Sequence, residues 1–430
     1  MAGRNPATGA FGDAAGAARP KLIFLVTEDW YFWSHRLPVA RMARDAGFEV
    51  VVAARVREHG ELIRAEGFRL CPLPWRRRGD GIVGAGRGLA AIVALYRRER
   101  PDIVHHVALK PVLFGGIAVR LAFARGPFSR EIGRPVQIAA VTGLGSGLAP
   151  GRVAARLGRP ALGWAALGWA ALGWAALGWA VRRAAAGARV IVQNPEDGAA
   201  LARLGIVPAN IVLIRGSGVD TGRFRALPDP HEPFGATGSP GRTVTVALVA
   251  RMLRSKGILD AAAAVRLLRA RGLGIELVLA GPTDPDNRDS LDERALSALA
   301  AEPGVEWLGR VEDVRAVWRR AAIAVLPSTY GEGVPKALIE AAACARAIVA
   351  TDMPGCREVV RAGETGLLVA PHDVAGLAAA LAALAGDPAR RQAMGRAGRA
   401  LAEREFGEAG VARQTLALYS ALLRERAPAS

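Results

Sequence analysis

Short apolar runs alternate with helix-length segments along this chain, and the alternation passes through it twice. In the first pass residues 21–26, 49–53, 103–106, 138–141 and 190–193 read as strands, with helices at 36–46 and 89–98. Asn194, Pro195, Glu196 and Asp197 then supply a capping side chain, a first-turn proline and two acids, which together mark a helix start. After the turn-rich stretch 215–220, the second pass places strands at 244–250, 276–280 and 323–326 and helices at 257–269 and 292–300. Strands separated by helices at this spacing pair in parallel through right-handed crossovers. The expected fold class is α/β: two Rossmann-like, doubly wound domains whose short link lets them face each other across a cleft. A length of 430 residues accommodates two such cores. The expected divisions are a tail over 1–20, a first domain over 21–215, a second over 216–405 and a terminal helix over 406–430.

The segment richest in chemistry is Gly331-Glu332-Gly333-Val334-Pro335-Lys336-Ala337-Leu338-Ile339-Glu340. Val325 and Leu326 before it end a buried strand, and residues 337–345 read as an apolar helix. Glu332 therefore lies at a strand's carboxyl end, with Glu340 about two turns into the helix. The N–H groups at the helix start, with the helix dipole behind them, favour an anion between the two carboxylates. A phosphate there, with a glutamate on either side for hydroxyl groups, suits a nucleotide-sugar. The plainer alternative is a strand–loop–helix whose glutamates are merely solvated.

Taken with Pro327-Ser328-Thr329-Tyr330 before it and Ala350-Thr351-Asp352-Met353-Pro354-Gly355-Cys356-Arg357-Glu358 after it, this segment closely resembles the retaining glycosyltransferases of family four. Within them it looks most like the branch that builds cell-surface glycans on polyprenyl-pyrophosphate lipids. Leu248-Val249-Ala250-Arg251-Met252-Leu253-Arg254-Ser255-Lys256-Gly257, Leu279-Ala280-Gly281-Pro282, Trp307-Leu308-Gly309-Arg310-Val311 and Gly216-Ser217-Gly218-Val219-Asp220 stand at the family's stations. Thr27-Glu28-Asp29-Trp30-Tyr31-Phe32-Trp33-Ser34-His35-Arg36 resembles the branch's acceptor-side loop, and the likeness runs over residues 21–404.

The resemblance implies the GT-B arrangement and transfer, with retention, from a nucleotide-sugar to a polyprenyl-pyrophosphate-linked saccharide. The donor would be a UDP-N-acetylhexosamine or UDP-hexose, and the enzyme peripheral on the cytoplasmic face of the membrane. It puts Arg251 and Lys256 on the departing diphosphate, where positioned cations act best in a water-poor site. It puts Glu332 on the donor sugar and Glu340 on the ribose hydroxyls. Gly281, Gly333 and the backbone of Val334, Lys336 and Ala337 complete the phosphate side, Pro335 having no N–H to give. Arg310 and Val311 would hold the base. On the acceptor side it implies Trp33, Lys110 and His35, the last a catalytic candidate able to share a proton near neutrality. His105 stands where many relatives carry His-x-His, but Val107 breaks that pattern. Glu28 and Asp29 are further acids beside the acceptor loop. Two rival readings share these residues: a nucleotide-sugar 2-epimerase of the same architecture, and a membrane-bound scaffold with an inactive site.

Composition narrows the partners. Cys71, Cys344 and Cys356 are too few and scattered for a disulfide framework or a zinc site, which fits a reduced cytoplasmic setting. Residues 1–20 lack the continuous apolar core of a secretory signal. The net charge of +18 is dispersed and accompanies no nucleic-acid module, so an anionic membrane surface is expected as partner and nucleic acid is not. Asp284-Pro285-Asp286 mimics a metal-binding Asp-x-Asp, but it lies in a polar turn with no supporting cluster. No metal and no cofactor beyond the sugar donor are expected. Residues 161–180 are four copies of Ala-Leu-Gly-Trp-Ala, long enough to span a bilayer. A single crossing would separate the two domains, so the repeat is expected to lie in the lipid interface with tryptophans at headgroup depth, or else to pack within the first domain.

Overall fold

The computed structural model describes residues 19–75, 81–124, 133–143, 178–230 and 243–426. The chain divides into two compact units, Met1–Ile214 with Ala409–Ser430, and Arg215–Glu408. In the first, β1 (Lys21–Glu28), β2 (Glu49–Arg55), β3 (Arg69–Pro72), β4 (Ile103–Val107), β5 (Val136–Val141), β6 (Arg189–Val192) and β7 (Ile211–Leu213) form one sheet in the order β3-β2-β1-β4-β5-β6-β7. Every pairing is parallel. Helices α1 (Asp29–His35), α2 (Leu37–Asp45), α3 (Gly60–Ala65), α4 (Gly81–Glu99), α5 (Leu109–Ala122) and α6 (Pro195–Arg203) make the connections. A parallel strand is covered on both faces, and this explains why Leu22 to Val26 form an unbroken apolar run and are all buried. The expected helix start at Asn194 is present: its side chain accepts the Asp197 N–H and caps α6.

The second unit repeats the plan with β8 (Val244–Val249), β9 (Ile275–Ala280), β10 (Val305–Trp307), β11 (Ile323–Leu326), β12 (Ala347–Thr351) and β13 (Gly366–Val369), ordered β10-β9-β8-β11-β12-β13. Its helices are α7 (Ile258–Ala270), α8 (Glu293–Ala300), α9 (Arg315–Arg320), α10 (Lys336–Ala343), α11 (Pro354–Val359), α12 (Val374–Gly386) and α13 (Pro388–Glu405). A last helix, α14 (Glu408–Arg426), returns to the first unit. There Val411, Ala412, Tyr419 and Leu422 join the core built on Leu22, Phe24 and Val52. The terminal helix expected over 406–430 is thus a structural part of the first domain.

In both sheets the strand order reverses direction once, between β1 and β4 and between β8 and β11. Loops leaving the carboxyl ends of two such strands diverge and leave a crevice, the usual ligand position in doubly wound folds. Most of the tryptophan repeat, residues 161–177, lies outside the described residues; residues 178–184 are helical, with Trp179 exposed. Of Thr142-Gly143-Leu144-Gly145, which resembles a glycine loop lining a cleft, Leu144 and Gly145 also lie outside them. No helix among the described residues is long and apolar enough to cross a membrane.

Candidate active site

The loops after β8 and β11 carry the residues singled out in the second unit. After β8 the chain runs through Arg251 into a short turn, Arg254–Lys256, that leads into α7. The turn can end there because Gly257 adopts φ +73°, and a Cβ at that position would collide with the Pro327 carbonyl. The β8 loop is thereby pressed against the loop after β11. Thr329 N–H donates to the Ser255 carbonyl at 2.8 Å, and the Ser328 hydroxyl donates to it at 3.2 Å. The β11 loop is braced from its other side by Gly355, where any Cβ would strike the Gly333 carbonyl.

This packing brings Lys256 and Glu332 together: Nζ lies 2.5 Å from Oε2, with side-chain exposures of 12% and 11%. The ammonium also sits 5.4 Å above the Tyr330 ring. Burial acts to lower the Lys256 pKa, but the negative charge of Glu332 and then Tyr330 outweighs it, and the group stands above its ordinary value. Burial, with Glu332 second, raises the Tyr330 phenol. Lys256 is therefore a fixed cation held in place before any substrate arrives.

Arg251 is oriented differently. Its guanidinium pairs with Asp284, in the loop after β9. That loop starts at Gly281, whose N–H donates to the Gly309 carbonyl at 2.7 Å and whose carbonyl accepts the Trp307 indole N–H at 3.1 Å. The Asp-x-Asp look-alike thus supplies the partner of an arginine, a role that its sequence context did not reveal.

Glu340 lies on α10 and is 9% exposed. Burial pushes its carboxyl up from the ordinary carboxylate range to about 7, against the opposing pull of Lys336 and Arg223. The Lys336 ammonium is 4.0 Å away on the same helix. At the start of α10, Pro335 sits in extended conformation with no side-chain cap, and the positive end of the helix dipole lies there. Gly333 and Val334 are buried in the loop before it, Arg310 is exposed after β10, and Val311 packs against the apolar core.

The acceptor-side candidates lie in the first unit. Trp33 and His35 are on α1, directly after β1. His35 stacks on Tyr31 at 4.2 Å between ring centroids, and its Nδ1 is 2.6 Å from the Ser34 hydroxyl. The Trp33 ring lies 6.0 Å from that of His59. Lys110 follows β4 with its ammonium 5.2 Å from the Trp75 ring and 5.8 Å from Phe114. Asp29 does not face an acceptor: it is fully buried and accepts the N–H groups of Arg57 at 2.7 Å and His59 at 2.9 Å, tying down the loop after β2. Glu28 is buried between Arg55 and Arg57 at 3.5 and 3.7 Å. His105 and His106 are core residues on Tyr419 at 2.6 Å and Tyr96 at 2.9 Å.

Comparison with known proteins bears on the fold of both units. Residues 243–387 match the family described as "Glycosyl transferases group 1", and residues 21–125 match "Glycosyl transferase 4-like". The two matches fall on the two units, one on each. Together they support a glycosyltransferase of the family-four, GT-B type. Among curated relatives, glycogen synthase of Mycobacterium tuberculosis is 36% identical over 51% of this chain and 51% of its own length. D-inositol 3-phosphate glycosyltransferase of Kribbella flavida is 34% identical over 54% of this chain and 56% of its own. The chain spans about half the length of these curated relatives. Anabaena HepE, solved in complex with UDP and glucose, shares the fold with a TM-score of 0.71 at 17% identity, over 93% of this chain and 99% of that one.

Proposed function

We propose that this chain moves a sugar from a UDP-sugar to a polyprenyl-pyrophosphate-linked saccharide, with retention of anomeric configuration. The observation that carries the donor half is the buried Lys256–Glu332 pair at the β8/β11 reversal, flanked by Arg251, Glu340 and the uncapped start of α10. Breaking a sugar–phosphate bond builds negative charge on the leaving diphosphate. Arg251, Lys256 and the N–H groups of Lys336 and Ala337 are donors set in advance for that charge. On arrival of the diphosphate, Lys256 exchanges part of its bond with Glu332 for a phosphate oxygen, which releases a carboxylate oxygen to a sugar hydroxyl. Glu340 takes the ribose hydroxyls. The UDP held by the HepE structure supports the choice of donor.

The acceptor half draws support from the likeness of residues 27–36 to an acceptor loop and from the charge of +18, which suits an anionic membrane face. On this reading the protein works peripherally on the cytoplasmic face. A second reading, favoured by the name of the inositol-phosphate relative, is a water-soluble polyol phosphate as acceptor. Labelled UDP-sugars incubated with the full chain and either acceptor separate the two, since label enters the organic phase only when the acceptor carries a lipid. Label appearing as a free epimer without any acceptor would contradict both. The reaction is expected to persist in EDTA, because Arg251 and Lys256 provide the positive charge that a metal would otherwise bring.

A further inference from the structure

Three arginines are buried in the described fold: Arg36 at 5% exposure, Arg346 at 1% and Arg391 at 2%. Two of them are compensated. Arg346 donates to the carbonyls of Cys344, Ala321 and Pro228 at 3.1, 3.1 and 2.7 Å. Arg391 pairs with Asp229 at 3.0 Å and donates to the Leu384 and Ala385 carbonyls. Arg36 is not. Its Nε is buried without a hydrogen-bond partner, and no carboxylate among the described residues pairs with its guanidinium. A buried charge left in this condition is strongly unfavourable, and proteins that keep one use it.

The Arg36 backbone is held at both ends. The residue joins α1 to α2, its N–H bonded to the Phe32 carbonyl at 2.8 Å and its own carbonyl accepting from Ala40 at 3.0 Å, so the side chain leaves from a fixed backbone. Its charge is felt by both His105 and Tyr419. Burial first, then Arg36, holds the His105 pKa well below the ordinary imidazole value, so that ring is neutral. His105 Nδ1 shares a hydrogen bond with the Tyr419 hydroxyl at 2.6 Å, and its Nε2 is buried without a hydrogen-bond partner. A fixed guanidinium with a buried N–H left unpaired matches an oxyanion and has nothing to offer a cation.

We infer that Arg36 is the receptor for a phosphate group, and that in turnover this phosphate belongs to the acceptor. The second clause rests on the proposed function, whereas the first does not. The site adds an anion contact to the β1/β4 side of the first unit, one residue beyond His35.

The test uses the full chain with UDP present to occupy the second unit, melted with and without inorganic phosphate. Arg36→Met keeps most of the side-chain volume and removes the charge. Without phosphate, Arg36→Met is expected to melt higher than the parent by about 2 °C or more, because an uncompensated charge has gone. Phosphate should raise the parent's melting temperature and leave the variant's unchanged. In transfer assays the variant should raise the KM for a phosphate-bearing acceptor by about tenfold or more, with the donor KM unaltered.

A variant that melts lower than the parent and still responds to phosphate would overturn the inference. A lost phosphate response with an unaltered acceptor KM would keep the site and assign it to free phosphate. If no acceptor is glycosylated at all, a lost phosphate response in the variant still supports the site, and only the proposed function fails. Should Arg36→Met not fold, Arg36→Lys is read instead. It keeps the charge without the planar fork, so the phosphate midpoint should weaken several-fold; an unchanged midpoint would count against the assignment.

Discussion

At the scale of single residues, the proposed donor site consists of cations and carboxylates that hold one another, Lys256 with Glu332 and Arg251 with Asp284. Arg251→Ala, in a variant whose circular dichroism is unaltered, is expected to lower kcat/KM by about two orders of magnitude or more, the usual loss when a transition-state charge partner is removed. Glu340 makes a separate statement in pH. Its folded pKa, about 7, lies above its unfolded value, so the protonated form favours folding, and that contribution is lost as pH rises from about 4.5 to 7. Glu340→Gln should therefore stabilise the second unit at pH 8 by on the order of 2 kcal/mol and leave it unchanged near pH 4.5, as measured by chemical denaturation. It should at the same time weaken UDP binding, since an amide is a poorer acceptor for two ribose hydroxyls. The two glutamates stand out by their spacing across the β11 loop and Arg251 and Lys256 by the family resemblance, and the structure brings Lys256 against Glu332. The Asp284 partner of Arg251 was not, since 33 residues separate them and a turn-forming aspartate looks the same with or without a partner. Arg36 was passed over for a related reason: one arginine among 57 basic residues gives no sign of being buried.

At the scale of elements, the site depends on two loops held closer together than any side chain would permit. Gly355 opens α11 and touches no ligand in this account, yet it braces the β11 loop through the Gly333 carbonyl. Gly355→Ala is expected to raise the UDP Kd by about tenfold or more and to lower the melting temperature of the second unit, both readable in one calorimetric series. The long strands and the amphipathic helices were legible from periodicity. The strands Arg69–Pro72, Ile211–Leu213, Val305–Trp307 and Gly366–Val369 were not, because three or four residues at a sheet edge carry too little alternation to stand out from a loop, and the inner strand Ala347–Thr351 was missed because a short run buried on both faces shows no alternation. The docking of α14 was equally hidden: its Tyr419 meets His105 across 314 residues of chain.

At the scale of the whole molecule, the two units answer acid in opposite directions. Burial depresses the pKa of His105 and takes that of His106 to about 3, so their neutral forms support the first unit above about pH 6.5 and that support is lost as pH falls. Glu340 works the other way in the second unit. Acidifying from pH 7 to 5 should therefore lower the melting temperature of the transition that reports Tyr96 and Tyr419 and raise that of the other, seen as two calorimetric transitions moving apart. A single transition shifting in one direction would show that the units do not melt separately or that the buried histidines are hydrated. Removing residues 408–430 should leave the first unit unable to fold, because Val411, Tyr419 and Leu422 are part of its core.

The second unit is expected to grip a nucleotide diphosphate at the β8/β11 reversal. Isothermal titration of UDP into the full chain and into folded Arg251→Ala and Lys256→Ala variants measures that grip. Saturable binding to the parent and a loss of about a hundredfold or more in each variant are predicted. Equal affinity in all three, or no binding to the parent, would contradict it.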